Sequence, residues 1–307
     1  MILNKFLITG ANGFVGEYLI NQLAGKSSQI VKLPKTIDIR NKNELISFCS
    51  AYSFDAVIHL AAMSFVPESV LNPKEVDDIN FTGTKNILEA LRLSNFEGVF
   101  LFIGSSDVYG IVPESSLPIT EKVPLSPMNP YSKSKVRAEG LCKKWSMKEK
   151  NMRIIMTRSF NHIGPGQDER FVVSRFCKMA AMINCGYKKP YIETGNLNIS
   201  RDFTDVRDIV NAYDLLLKYG KNGEVYNVCS GNEIILEDLI GKLKQISGVD
   251  FNVMVSSDLY RDSDQKRVSG SFSKLNEMTG WKPSISFDAS INDIYNYWKN
   301  KIKMESK

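Results

Sequence analysis

Histidine is nearly absent. His59 and His162 are the only two in 307 residues, so a histidine-rich metal site is excluded and no metal is expected. Cysteine is scarce as well: Cys49, Cys142, Cys177, Cys185 and Cys229 are odd in number, scattered and never spaced C-x-x-C. Neither a structural zinc site nor a disulfide framework fits that usage, and a reduced, cytoplasmic protein is expected. No apolar run approaches the roughly 18 residues of a membrane span. A glycine-rich turn already begins at Gly10, which leaves no room for a signal or transit sequence. Charge has no theme either. The 39 basic and 34 acidic residues leave +5 with no basic block, which argues against nucleic acid or membrane as partner and suits an anionic small ligand. Repeats, low-complexity tracts and long linkers are missing too.

What is present is alternation. Short runs rich in Val, Ile and Phe alternate with longer amphipathic stretches, the pattern of an α/β fold with a parallel sheet. The expected strands are Lys5–Thr9, Gln29–Leu33, Ala56–Leu60, Gly98–Gly104 and Arg153–Phe160. The expected helices are Phe14–Leu23, Lys42–Tyr52, Val76–Leu93 and Tyr131–Lys148. Past residue 160, glycine and proline punctuate short elements, so a smaller, loop-rich C-terminal lobe is expected. Helix Val206–Leu217 and strand Glu224–Val228 still read as parts of the large sheet.

The first strand runs through Gly10-Ala11-Asn12-Gly13-Phe14-Val15-Gly16 straight into a helix. Glycines there permit a tight turn, close approach of backbone to a pyrophosphate, and close helix–sheet packing, as in a Rossmann-type doubly wound sheet. The helix start adds N–H donors for the anion. Cofactor choice should be written after the second strand. An acid there binds the 2′-hydroxyl of NAD, and a base favours the 2′-phosphate of NADP. No acid falls between Glu17 and Asp38, whereas Lys32 and Lys35 lie at or just past the strand end. NADP(H) is favoured on that ground; NAD(H) is the alternative if Asp38 is the ribose acid.

Tyr131 and Lys135 lie four residues apart on an expected helix, hence on one face. An ammonium about 4 Å from a phenol stabilises the phenolate by about 4 kcal/mol at an effective dielectric of about 20. Together with the cofactor's positive nicotinamide, that would bring the phenol close to working pH as an acid or base. Strand Gly98–Gly104 ends at Ser105-Ser106-Asp107, at the carboxyl edge where such sheets bind ligands. A serine hydroxyl there can hydrogen-bond a substrate oxygen and align it with the phenol.

Together with Asp38-Ile39, His59-Leu60-Ala61-Ala62, Asn80 and Ser105–Gly110, these motifs resemble the extended short-chain dehydrogenase/reductase family over essentially the whole chain. Its members are nucleotide-sugar epimerases, dehydratases and reductases. The resemblance implies that Asn12, Phe14 and Val15 join the glycines around the dinucleotide and that Asp38 and Ile39 contact adenine. Leu60, Ala61, Ala62, Asn80 and Phe160 would complete the cofactor site, with Lys135 on the nicotinamide ribose. Tyr131 would be the acid/base and Ser105 its helper. A homodimer packed through helices near Phe81–Leu93 and Lys133–Met147 is implied too.

Arg158–Gln167, Gly195-Asn196-Leu197 and Arg201–Asp208 are similar to the branch acting on GDP-linked 6-deoxy sugars, its 4-ketoreductases first and its 4,6-dehydratases next. By that likeness Asn161 holds the sugar or its phosphates, and Arg201 and Arg261 hold the diphosphate. Ser106, Asp107, Asn196 and Asp264 surround the substrate. Arg261-Asp262-Ser263-Asp264 departs from the branch's usual Arg-Pro-x-Glu. For Arg201 an ion pair with Asp202 or Asp205 is the structural alternative.

The expected division is a dinucleotide-binding domain over 1–160 that also receives about 203–228, and a nucleotide-sugar lobe over 161–202 and 229–307. The implied activity is reduction of the C4 ketone of a nucleotide-linked 4-keto-6-deoxy sugar. A 4,6-dehydratase with Asp107 as the eliminating base and a 4-epimerase are the alternatives. A cofactor-sensing protein on the same fold would normally lack the tyrosine or the lysine, and both are here.

Overall fold

The computed structural model describes residues 3–24, 28–256, 259 and 265–305. Its first half runs β1 (Lys5–Thr9), α1 (Phe14–Ala24), β2 (Gln29–Lys32), α2 (Lys42–Ala51) and β3 (Ala56–His59). Two short helices, α3 (Val66–Leu71) and α4 (Pro73–Asp77), lead through a π-helical turn at Asp78–Thr82 into α5 (Gly83–Leu93). The helix expected over Val76–Leu93 is continuous but holds one π-helical turn: Asp77, Asp78, Thr82 and Gly83 keep right-handed helical dihedrals, and the Thr84 hydroxyl donates back to the Asn80 carbonyl at 2.6 Å. Pro67 and Pro73 stand upstream, each in a first turn, where proline starts helices.

The chain continues with β4 (Gly98–Ser105), α6 (Pro130–Lys148), β5 (Met152–Ser159), β6 (Asn161–Ile163), α7 (Val172–Asn184) and β7 (Tyr191–Thr194). Then come β8 (Ser200–Asp205), α8 (Val206–Tyr219), β9 (Val225–Val228), β10 (Glu233–Ile235) and α9 (Leu236–Ser247). The last elements are β11 (Asn252–Val255), α10 (Ser273–Thr279) and α11 (Phe287–Glu305).

The central sheet has six strands in the order β2-β1-β3-β4-β5-β9, all parallel. β2 pairs only with β1 and stands at one edge. Winding reverses between β1 and β3, and such a switch point opens a crevice at the strands' carboxyl ends. One apolar layer packs α1 and α8 on the sheet through Leu19, Leu23, Ile209 and Leu216; the other packs α2, α5 and α6 through Leu45, Ile87, Leu91 and Ala138.

The C-terminal half is more regular than the loop-rich lobe expected. Helices α7, α9 and α11 enclose their own core of Phe176, Cys177, Leu239, Leu243 and Trp298. The glycines past residue 160 mark where helices stop: Gly248 and Gly280 adopt left-handed conformations at the ends of α9 and α10.

Candidate active site

A cavity of about 1160 Å³ follows the carboxyl ends of β1, β3, β4 and β5 and continues between α7 and β7. A single ligand pocket commonly holds ~300–1,000 Å³, so this cleft is larger than one such site.

Gly10, at φ 69°, lies so close to the exit of β3 that a Cβ would stand 2.7 Å from the Ala61 nitrogen. The first-turn N–H groups of α1 have no intrahelical acceptor and carry the positive end of the helix dipole. Asn12, Gly13, Phe14, Val15 and Gly16 line the cavity opposite Leu60, Ala61 and Ala62. A backbone cradle that no side chain fills, with donors facing inward, fits a dinucleotide pyrophosphate.

Past β2, Lys35 and Ile39 line the cavity, but Lys32 and Asp38 do not. Lys32 is exposed at the strand's end. The Asp38 carboxylate is held by Arg40, whose Nη2 lies 2.6 Å from Oδ2, and those hydrogen bonds keep its pKa below the usual range. Asn80 also stands away from the cavity. Its Nδ2 donates to the Met63 carbonyl at 3.0 Å and the Ser134 hydroxyl at 2.9 Å, while its Oδ1 accepts from the Met63 N–H, pinning the stretch after β3 onto α6. His59 bridges the Thr9 and Thr84 hydroxyls at 2.8 and 3.0 Å, and burial, then the Lys135 charge, pushes its pKa down to about 3.

α6 starts in a capping box. The Asn129 side chain accepts from the Ser132 N–H at 2.8 Å, and Pro130 follows at N1. That places Tyr131 in the first turn and Lys135 one turn on, both buried and both lining the cavity beside Ser105. The expected action of Lys135 on the phenol is not found. Its Nζ donates to the Ile103 carbonyl at 2.8 Å and sits 5.2 Å over the Phe102 ring. Burial, and then the Asp107 carboxylate, raise the Tyr131 pKa above that of a free phenol; a hydrogen bond with Ser105 only partly offsets them. Burial pushes Lys135 itself down to about 8. Removing either group from water disfavours its charged form, so Tyr131 is a neutral, proton-carrying phenol. Such a group suits donation to an oxygen that gains charge.

Beneath it lies a buried ion pair. Arg158 on β5 donates to Glu139 on α6 through Nε at 2.9 Å and Nη2 at 2.6 Å. Nη1 donates to the Tyr109 hydroxyl at 3.0 Å, which donates in turn to Asn227 Oδ1 at 2.6 Å.

Phe160, Asn161, Asn196, Arg201, Ser106 and Asp107 all line the cavity. Asp205 pairs with Arg207, and Asp202 accepts from Ser230, Gly231 and Gly270. Arg201 donates to the Ser200 and Gln265 carbonyls from the cavity wall. Arg261 and Asp264 lie outside the described residues. Sequence reasoning missed Gln167, Arg170 and Arg175 on the cavity wall. Arg170 lies 4.9 Å over the Phe65 ring and 3.3 Å from Glu68, and Arg175 donates to the Glu193 carbonyl at 3.3 Å. The signal was available: Val173, Phe176, Cys177, Ala180 and Ala181 repeat at helical spacing and announce a helix that begins at the cavity.

Residues 32–294 match the family model described as GDP-mannose 4,6 dehydratase. The chain is 39% identical over 303 residues to GDP-6-deoxy-D-mannose reductase of Pseudomonas aeruginosa, covering 98% of this chain and 99% of that one. The solved structure of RMD from Pseudomonas aeruginosa complexed with NADPH superposes with a TM-score of 0.91 at 39% identity, covering 97% of this chain and 99% of that chain. A putative epimerase from Burkholderia cenocepacia gives a TM-score of 0.85 at 27% identity, covering 97% and 98%.

Proposed function

Because the chain belongs to the GDP-mannose 4,6 dehydratase family, within the extended short-chain dehydrogenases/reductases, we propose that it uses NADPH to reduce the C4 ketone of a GDP-linked 4-keto-6-deoxy sugar. The observation that carries this reading is the buried Tyr131 beside Ser105, on the wall of the cavity that the glycine cradle also lines. With its pyrophosphate held by the cradle at Gly10–Gly16, the reduced coenzyme would supply hydride for the ketone carbon. Tyr131 gives its proton to the ketone oxygen while the Ser105 hydroxyl hydrogen-bonds that oxygen. Lys135 holds the nicotinamide ribose. Arg201, on the cavity wall, is assigned to the diphosphate, which guanidinium groups bind with paired charge-assisted bonds, and the likeness to the GDP-sugar branch assigns Arg261 to it as well. Asn161, Asn196, Ser106 and Asp264 complete the sugar and ribose contacts, so the nucleotide sugar lies along 161–202 and 229–307 and the dinucleotide along 1–160 and about 203–228. The reading includes a homodimer packed through the helices near 81–93 and 133–147, acting in the cytoplasm.

Lys35 is assigned to the 2′-phosphate, since it lies at the adenosine end of the cavity wall. Reversing a charge about 4 Å from a phosphate in water changes the interaction by about 2 kcal/mol. Lys35→Glu is therefore expected to weaken NADPH about 30-fold and NADH less than about threefold. Equal losses in fluorescence titrations of both coenzymes would remove Lys35 from the site.

Dehydration of GDP-mannose is the second reading, favoured by the family match and by Asp107 on the cavity wall. A dehydratase must remove the C5 proton and recycles its coenzyme, whereas a reductase consumes one nicotinamide per turnover. Asp107 is one carbon shorter than glutamate, which withdraws a carboxylate from proton-transfer reach. The test supplies purified protein with GDP-mannose alone, and separately with a GDP-4-keto-6-deoxy sugar and NADPH. The first should lose no water by mass spectrometry. The second should oxidise NADPH stoichiometrically, and Asp107→Asn should retain a substantial part of that rate. Water loss from GDP-mannose without added reductant reverses the assignment and makes Asp107 the base.

A further inference from the structure

We propose that the buried Arg158–Glu139 pair is a positioning device for the proton donor, fixing the rotation of α6 against β4 so that the Tyr131 hydroxyl stays within reach of Ser105. Tyr131, Lys135 and Glu139 follow one another at four-residue intervals along a single face of α6, and all three are buried. Each is tied to a different part of the same sheet edge: Tyr131 to Ser105, Lys135 to the Ile103 carbonyl at 2.8 Å, and Glu139 to Arg158. Arg158 is paired in register with Gly104, the residue before Ser105. Its third contact, Nη1 to the Tyr109 hydroxyl at 3.0 Å, reaches the end of the turn that Ser105 begins by accepting from the Asp107 N–H. One guanidinium therefore references the helix that carries the donor and the turn that carries its helper.

The chemistry of the pair suits that task more than it suits stability. Burying two charges carries a desolvation cost, and apolar residues of similar volume often serve a fold as well or better. What an apolar contact lacks is direction. Two parallel bonds from a planar fork, at 2.9 and 2.6 Å, admit one distance and one orientation. Displacement of a reacting group by about 1 Å can cost about 10²-fold in rate, so a helix allowed to rotate slightly would still fold and still bind coenzyme while turning over slowly.

The inference rests on the reading that Tyr131 is the proton donor, and its test keeps the two apart. The full chain is prepared with the paired substitution Glu139→Met/Arg158→Leu, with Arg158→Lys, and with Tyr131→Phe as a control. Lysine retains the charge at 158 but lacks the fork. For the paired variant, NADPH affinity within about twofold, KM for the keto sugar within about threefold and kcat lowered about 30–100-fold are expected; Arg158→Lys should lose about tenfold in kcat. If the paired variant folds and its kcat stays within about threefold of the parent, the inference is overturned. It is equally overturned if melting temperature, NADPH affinity and kcat collapse together, the mark of a purely structural pair. Should the paired variant not fold, Arg158→Lys decides by the same kcat criterion. A Tyr131→Phe control that keeps more than half of the activity overturns the functional reading and this inference with it. A dead control beside an unimpaired pair variant overturns the inference alone.

Discussion

Tyr131→Phe is expected to lower kcat for ketone reduction about 10²–10⁴-fold and to leave NADPH affinity nearly unchanged. The substitution deletes one oxygen from a buried side chain and keeps the ring that packs at the start of α6. Its structural cost is the hydrogen bond with Ser105, about 1 kcal/mol. The chemical cost is larger because Lys135 is engaged elsewhere. Lys135 is bonded to the Ile103 carbonyl, with a pKa already pushed down to about 8, and is no substitute proton donor at the ketone oxygen. Stopped assays at saturating NADPH decide the matter: a variant that retains more than half of the parent rate removes Tyr131 from the chemistry.

The second large effect lies at the other end of the cleft. Gly10→Ala should weaken NADPH at least about 100-fold, because the new methyl group acts on both strands of the switch point. At φ 69° an alanine costs about 1–2 kcal/mol. Its Cβ would also stand 2.7 Å from Ala61 N and 2.9 Å from Ala61 Cα, backbone atoms with no rotamer to yield. Ala61 is held from behind, its N–H donating to Thr9 Oγ1 at 3.2 Å, so relief has to come from the turn itself, where the pyrophosphate would bind. Calorimetric titration with NADPH checks this, and an affinity within about threefold of the parent would show that the cradle tolerates a side chain.

These two positions were also the most legible in the sequence, for a physical reason. A glycine triplet between strand and helix, and a tyrosine four residues before a lysine, are local patterns whose geometry is set by the backbone period. What the sequence concealed was chosen by distant partners. The Ile103 carbonyl that captures Lys135 leaves no mark in the amino-acid order, so the expected charge effect on the phenol had no means of correction. Asp38 and Asn80 were assigned to the cofactor site by the resemblance; that Arg40 pairs with the first, and Met63 and Ser134 bond the second, is not written in the amino-acid order. The helices of the C-terminal half were hidden differently, since their terminal glycines were taken for interruptions.

The edge position of β2 has an evolutionary consequence. Lys35 stands on the connection that leaves the outermost strand, with no further strand beyond it among the described residues whose pairing a change could disturb, and α5 secures the far end of that connection through Asn86 to the Ile39 and Arg40 carbonyls. The residues proposed for catalysis stand at the opposite end, fixed from several sides. If the proposed roles hold, coenzyme preference and chemistry occupy parts of the molecule under unequal constraint, and a single exchange at Lys35 would couple the same reaction to a different reducing pool of the cell.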